Sequence, residues 1–134
     1  MPGRAGRTRV RLVAPKVRLE LPTPPSLNNL FRSTKDGLRV ASKRYGNWRR
    51  VAAQGLYLGY KRIEGPVSIK ITVEDVGRRD LDNFCKAILD FLVAHRIILN
   101  DDRPTVREIT MRWGNVKGVI VEIEAVANKG ETGT

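Results

Sequence analysis

The segment 67–74 constrains the fold more than any other part of the chain, because apolar and polar residues alternate along it without interruption. Its apolar positions are Val67, Ile69, Ile71 and Val73. A period of two predicts a β-strand that buries one face and leaves polar side chains on the other. The chain is therefore expected to contain a sheet that is covered on one side.

A helical period follows this strand, from Asp82 to about His95. Its apolar stripe consists of Cys85, Ile88, Leu89 and Leu92. This spacing predicts an amphipathic helix, with Asp82 at the position of its N-cap.

An earlier helix is predicted from Ser42, as its N-cap, through about Arg62. Its stripe consists of Tyr45, Trp48, Ala52, Leu56 and Gly59. Tyr45 and Trp48 are able to stack on bases, but aromatic residues on such a stripe are more often part of the core.

The other elements are predicted to be strands and loops. Val17, Leu19 and Leu21 alternate before the proline-rich segment 22–25 ends their strand, and residues 26–41 predict an exposed basic loop or a small hairpin. The alternating segments 109–113 and 119–125, with a turn at Gly114-Asn115, predict a terminal β-hairpin. The order is β-α-β-α-β-β, that of an α+β domain with a mixed sheet and two main helices.

The length of 134 residues fits one compact domain. We place this domain at 17–127, between a basic flexible arm at 1–16 and a polar tail at 128–134.

The net charge of +11 is distributed unevenly along the chain. Of the 25 Lys and Arg residues 15 precede residue 63, whereas 12 of the 14 Asp and Glu residues follow it. An excess of this size is typical of proteins that bind phosphate backbones. The separation predicts an acidic working site and a basic binding face, on which Arg49 and Arg50 are candidates for phosphate contacts.

Cys85 is the single cysteine, so the chain cannot form an intramolecular disulfide or a thiolate metal cluster. This composition fits a reducing cytoplasm. The sequence also lacks an apolar run near the roughly 18 residues that a membrane span needs, and lacks the apolar core of a secretory signal. We therefore expect a cytoplasmic protein without a membrane partner.

The segment 78–86, Arg-Arg-Asp-Leu-Asp-Asn-Phe-Cys-Lys, carries the candidate chemistry, because it lies where the predicted strand passes into the predicted helix. Asp80 and Asp82 are separated by one residue and can direct their carboxylates at one hard cation. Without a cation the two charges raise one pKa, unless Arg79 or Lys86 neutralises the pair. A metal is the simpler explanation, and a solvated acidic loop is the alternative for an Asp-x-Asp motif alone.

Further residues can extend this motif. Lys86 lies four residues after Asp82 and can reach a phosphate held on the metal, or can form an ion pair within the helix. Asp101 and Asp102 follow the helix, and the return of the chain can bring a third carboxylate to the site. The only histidine, His95, is predicted to be structural rather than a general base.

In combination, these motifs resemble the RusA family of Holliday junction resolvases, whose pattern is Arg-Asp-Leu-Asp-Asn-x-x-Lys followed by a helix and an acidic Asp. The pattern here runs from Arg79 to Lys86. A second family-like element, Pro-Pro-Ser-Leu-Asn-Asn, occupies residues 24–29 and has the expected order and separation. The resemblance covers about residues 17–126.

The resemblance implies a structure-selective endonuclease that depends on Mg²⁺, with Mn²⁺ as a substitute, and acts as a homodimer on branched DNA. Asp80, Asp82 and Asp101 would hold the metal, and Lys86 would contact the reacting phosphate. The distance from Asp82 along the sequence favours Asp101, but Asp102 can substitute or assist. No small-molecule cofactor is expected.

Polar residues near the motifs are further candidates for DNA contacts. They are Asn28, Asn29, Arg79 and Asn83. The asparagines can hydrogen-bond bases or an opened backbone, or can serve only in turns and caps.

Other functions fit the same residues. A non-catalytic module would bind DNA or RNA through its basic half, while the acids balance charge and support helix starts. A nuclease with the same metal site could also act on flaps or structured RNA. A structural assembly protein would need an exposed apolar surface and is the least favoured.

Overall fold

The computed structural model describes residues 16–56 and 62–126, which form an α+β domain with a mixed sheet and two helices. The strands are β1 (Lys16–Leu21), β2 (Phe31–Ser33), β3 (Arg39–Ala41), β4 (Val67–Glu74), β5 (Val106–Gly114) and β6 (Val119–Ala125). The helices are α1 (Lys43–Gln54) and α2 (Cys85–Ala94). The predicted fold class is confirmed. The predicted arm, apart from Lys16, and the predicted tail lie outside the described residues.

The strand β4 lies inside a four-stranded sheet of order β1-β6-β4-β5. It pairs antiparallel with β6 and parallel with β5, and β1 pairs antiparallel with β6. Ile69 of β4 stands opposite Ile123 on one side and Ile109 on the other. The strand with the clearest alternation is thus hydrogen-bonded along both edges.

The predicted terminal hairpin is wrong in its pairing, although both of its strands are present. β5 and β6 lie on opposite sides of β4, and the connection 115–118 crosses the carboxyl end of β4. The N–H of Glu74 donates to the oxygen of Gly118 (2.8 Å), and that of Asp75 donates to the oxygen of Gly114 (3.2 Å). Gly118 has φ +73°, and a Cβ there would lie 2.5 Å from the oxygen of Leu21. The crossing therefore requires glycine at this position.

The small hairpin, one of two expectations for residues 26–41, is present as β2 and β3, with Phe31 opposite Ala41. It adds two strands to the predicted order of elements. A 3₁₀ turn at Leu27–Asn29 precedes it, and a second 3₁₀ turn at Leu81–Phe84 precedes α2.

Two helix boundaries differ from the prediction. Ser42 caps α1 as expected, because its Oγ accepts the N–H of Tyr45 at 3.0 Å. The helix ends at Gln54, where Gly55 forms the C-cap, rather than at about Arg62. Residues 57–61 of the predicted helix lie outside the described residues. Asp82 is not an N-cap, because it lies within the 3₁₀ turn and α2 begins only at Cys85.

A chain of aromatic contacts connects both helices above the sheet. Ring centroids lie 6.2 Å apart for Tyr45 and Trp48, 5.5 Å for Trp48 and Phe91, and 4.4 Å for Phe91 and His95. Trp48 is only 6% exposed, and its indole N–H donates to the oxygen of Pro22 at 2.7 Å. The preference for a core role of Tyr45 and Trp48 is confirmed.

No helix in the described ranges is long and apolar enough to span a membrane.

The paired residues Ile69 and Ile109 provide a test of this packing. Ile69 is fully buried, whereas Ile109 on the sheet edge is 37% exposed. We expect Ile69→Ala to lower the free energy of unfolding by about 2–5 kcal/mol, because it leaves a cavity in the core. Ile109→Ala, the matched control, should change it by only about 0.5 kcal/mol. Urea denaturation of both variants measures the difference, and equal losses would contradict the assigned burial.

Candidate active site

The acidic motif begins where the chain leaves β4. The loop 75–80 passes through Gly77, at φ +75°, and ends at Asp80, which has extended backbone angles before the turn Leu81–Phe84. The main-chain oxygen of Asp80 accepts the N–H of Asn83 at 3.1 Å, but its carboxylate makes no capping hydrogen bond. Asp82 follows within the turn, and both aspartates are exposed. The local fold thus leaves two neighbouring carboxylates open to a ligand.

The cations closest in sequence do not neutralise this pair. Arg79 donates from Nη2 to the oxygen of Val76 at 3.0 Å, and its guanidinium lies 5.0 Å from the ring centre of Phe84. Lys86 pairs with Asp90 at 3.3 Å and not with Asp82. In the part of the chain that the structure describes, neither Asp80 nor Asp82 has an ion-pair or side-chain hydrogen-bond partner.

The ion pair of Lys86 is accessible to solvent. The side chain of Lys86 is 52% exposed and that of Asp90 is 33% exposed. Exposed pairs at this helical spacing contribute little free energy, so a phosphate can compete for the ammonium group. The contact supports the helix without excluding the predicted role of Lys86.

Two pKa shifts report on the surroundings of the motif. Burial, and secondly the negative charge of Asp82, raise the pKa of the Cys85 thiol, which disfavours its nucleophilic thiolate form. Burial and the charge of Asp90 raise the pKa of Tyr45, while Arg49 opposes them. Asp82 thus acts electrostatically on the first turn of α2.

Asp101 and Asp102 differ in their contacts although they are adjacent. The side chain of Asn100 accepts the N–H of Asp101 at 2.8 Å and donates to the carboxylate of Asp102 at 2.9 Å. The main-chain oxygen of Asp102 also accepts the N–H groups of Thr105 and Val106. Among the described residues, the carboxylate of Asp101 has no such partner. Asp101 is therefore the more available of the two for a ligand.

The described residues contain no group of three or more His, Cys, Asp and Glu side chains that could hold one metal ion. The convergence of Asp101 with Asp80 and Asp82 therefore stays a prediction. The exposed, unpaired carboxylates of Asp80 and Asp82 nevertheless offer the oxygen ligands that a hard cation prefers.

The second family-like element lies next to the acidic motif. Its 3₁₀ turn, Leu27–Asn29, contacts the turn Leu81–Phe84. Asn29 donates from Nδ2 to Ser26 at 3.1 Å, and its main-chain oxygen accepts the hydroxyl of Ser42 at 2.7 Å. Asn29 therefore has a role in the turn, which was one of the two alternatives for the asparagines. Asn28 and Asn29 are also exposed.

Two adjacent grooves border this element. The first, of about 620 Å³, is lined by residues of the segment 22–26 together with Asn29, Arg44, Asn47, Trp48, Val51, Arg79 and Phe84. The second, of about 600 Å³, is lined by Asn28, Asn29, Phe31, Arg32, Ser42, Lys43, Arg44 and Asn47. The grooves share Asn29, Arg44 and Asn47, and no carboxylate of the described residues lines either of them. We call the pair the strand groove.

The cations of α1 that the sequence suggested for DNA contacts are not the ones that line the strand groove. Arg49 and Arg50 line neither part, and the guanidinium of Arg49 lies 4.5 Å from the ring centre of Tyr45. Arg44 and Asn47 line both parts and were not singled out from the sequence. The sequence does contain a pattern that could have identified them: Arg44, Asn47 and Val51 have helical spacing, which places all three on one face. DNA contacts of Arg49 and Arg50 stay a prediction.

A family model described as Endodeoxyribonuclease RusA matches residues 22–124. No curated protein sequence matches the chain. The family match spans most of the chain and includes both motif elements, 24–29 and 79–86, as well as Asp101. The chain therefore belongs to the RusA family of endodeoxyribonucleases.

Proposed function

We propose that this endodeoxyribonuclease resolves four-way DNA junctions in recombination and repair by paired, symmetric cuts that depend on Mg²⁺. The observation that carries the proposal is the pair Asp80 and Asp82, two exposed carboxylates without a partner among the described residues, beside a groove lined by cations. A metal held by both carboxylates would offset their mutual repulsion, which neither Arg79 nor Lys86 neutralises. The single cysteine supports a cytoplasmic location.

Each residue of the motif has a distinct proposed role. Asp80, Asp82 and Asp101 hold Mg²⁺, for which Mn²⁺ can substitute. Bound metal supplies Lewis-acid charge to the oxygens of the scissile phosphate. Lys86 leaves its weak pair with Asp90 and stabilises negative charge that develops on the phosphate.

Contacts to the rest of the substrate come from polar and basic residues around the acidic motif and on α1. Arg79 and Asn83 flank the two acidic residues in the sequence, and Asn28 and Asn29 lie on the turn that contacts the turn Leu81–Phe84. Arg49 and Arg50 add exposed positive charge on α1. Phosphate contacts of this kind fix the position of the DNA and make its affinity dependent on salt.

Paired cleavage requires a second copy of the chain. The sequence contains one such acidic motif, whereas two matched cuts require two active sites. An isologous dimer supplies them on a substrate with approximate two-fold symmetry. We therefore propose that the active species is a homodimer.

Replacement of Asp82 separates binding from cutting. We expect Asp82→Asn to leave junction binding largely intact but to slow incision by about a thousandfold or more, because it removes a ligand charge from the proposed metal. A labelled four-way junction and a matched linear duplex, each incubated with Mg²⁺ or with EDTA, measure both properties. Incision by Asp82→Asn at the wild-type rate would disprove the metal assignment. Tight binding without incision by the unaltered protein would favour the non-catalytic binding module.

The neighbours Asp101 and Asp102 provide a matched comparison. We expect Asp101→Asn to weaken Mn²⁺ binding by about tenfold or more, because charged ligands set the affinity of oxygen sites. Asp102→Asn should have a much smaller effect, since Asp102 is already bound by Asn100. Calorimetric titration of the DNA-free protein with Mn²⁺ measures both. The opposite ranking would assign the third ligand to Asp102.

Mixed dimers test the pairing of the cuts. Mixed dimers of wild-type and Asp82→Asn subunits, separated from both homodimers after co-refolding, should nick the junction in one strand and leave the symmetric strand intact. A cruciform plasmid shows this as nicked circles, while the wild-type homodimer yields linear product. Linear product from the mixed dimer alone would contradict one active site per subunit.

A further inference from the structure

We infer that the strand groove binds one DNA strand at the branch point and holds a single unpaired base in its apolar part. This inference rests on the proposed function and identifies the feature of branched DNA that the protein selects. Four observations support it: the lining of the groove, its charge, an unpartnered donor in its wall, and its position beside Asp80.

The first part of the groove is large enough to admit a base and has a partly apolar lining. Its volume of about 620 Å³ lies within the range of pockets that bind small ligands. Among its apolar lining residues, Val51 is 45% exposed, Pro25 is half-buried, and Pro24 and Phe84 are buried behind them. A nucleobase offers flat faces that such a surface can cover. The amides of Asn29 and Asn47 stand at the border with the second part, where they can reach base edges.

The second part of the groove suits a sugar-phosphate backbone. Arg32, Lys43 and Arg44 line it together with Asn28. In the described ranges 16–56 and 62–126 no carboxylate lines either part, so acidic side chains of these ranges do not offset the charges within the groove. A positively charged channel next to an apolar site is the arrangement with which proteins bind single-stranded nucleic acid. An acidic peptide would match the charge but would not need the apolar part.

Arg79 contributes a donor that lacks an acceptor. Its Nε is buried, and in the described part of the chain it has no hydrogen-bond partner. The guanidinium is held in place by the oxygen of Val76 and by the ring of Phe84. A buried charged donor without a partner is unfavourable; Nε itself is closed to solvent, so Arg79 would have to turn toward the groove for a ligand acceptor to satisfy it. A phosphate or a base carbonyl provides such an acceptor.

The position of the groove connects recognition to the proposed chemistry. Arg79 lines the groove, and Asp80 is the next residue in the chain. A base that enters the apolar part places its flanking phosphate near the acidic motif. In linear duplex every base is paired and stacked, so entry requires unstacking. A branch point offers bases that are easier to extrude, which accounts for selectivity by structure.

Fluorescence of Trp48 tests the groove without any need for cleavage. The chain has two tryptophans, and Trp113→Phe leaves Trp48 in the groove wall as the only one. We expect a short oligodeoxythymidine, added in EDTA, to quench this signal to saturation. Val51→Glu in this background should weaken the binding by about tenfold or more, because it places a carboxylate against the base.

Leu38→Glu is the matched control. Leu38 is also an exposed apolar residue, at 63%, and it lines neither part of the groove. The two variants change the net charge equally, so their difference isolates the groove. Equal weakening by both variants, or no quenching by the oligodeoxythymidine, would overturn the inference. Stronger quenching by oligouridine would overturn DNA as the occupant.

A junction with 2-aminopurine at the branch nucleotide separates this inference from the proposed nuclease function. We expect its fluorescence to rise on binding of wild-type or Asp82→Asn protein, and to rise much less with Val51→Glu. If the 2-aminopurine fluorescence rises but the wild type makes no incision, the nuclease function is disproved and the groove as a base site is supported. If Val51→Glu cuts normally and the 2-aminopurine fluorescence rises with none of the three proteins, the groove as a base site is disproved and the nuclease function is supported.

Discussion

The structure depends on the placement of β4 between β5 and β6. Val67, Ile69, Ile71 and Val73 are fully buried along it, and hydrogen bonds hold both of its edges. A shift of one residue would turn this apolar set to the opposite face of the sheet, so the register is strongly specified. The crossing connection also fixes the end of the strand through Glu74, whose carboxylate accepts the N–H of Gly118 at 3.0 Å. The acidic motif therefore starts from one of the most constrained points of the fold.

The sequence predicted the fold where the information was local. The alternation of β4, the stripe of α2 and the cap at Ser42 each depend on residues close to one another in the chain. The partners of β5 were not predictable in this way, because a short connection after two alternating segments is typical of a hairpin. Only the non-local pairing of β4 with both strands separates them. The end of α1 was misjudged because the apolar stripe continues to Leu56, past the Gly55 at which the helix stops.

At the candidate site, the sequence predicted which residues are present but not what their side chains contact. The motif from Arg79 to Lys86 located the acids and led to the correct family. It did not reveal that Arg79 contacts Phe84, or that Lys86 pairs with Asp90 rather than Asp82. Asp82 lies in the 3₁₀ turn and outside α2, whereas Lys86 and Asp90 are both in α2 and face each other at i,i+4 spacing. Arg44 was not predicted as a groove residue, because its place there results from the packing of α1 beside the segment 22–26.

The basic strand groove and the acidic motif adjoin at Arg79 and Asp80, since Arg79 lines the groove and Asp80 is the next residue. A DNA phosphate that approaches Asp80 and Asp82 is repelled by two carboxylates, while the cations of the strand groove attract the neighbouring phosphates. Under the proposed function, a metal on the acidic pair converts the repulsion into attraction. Metal and DNA would then increase each other's affinity, because the coupling between two ligands is reciprocal. If the proposals hold, the acidic motif and the basic groove act as one unit, in which neither is sufficient for a cut.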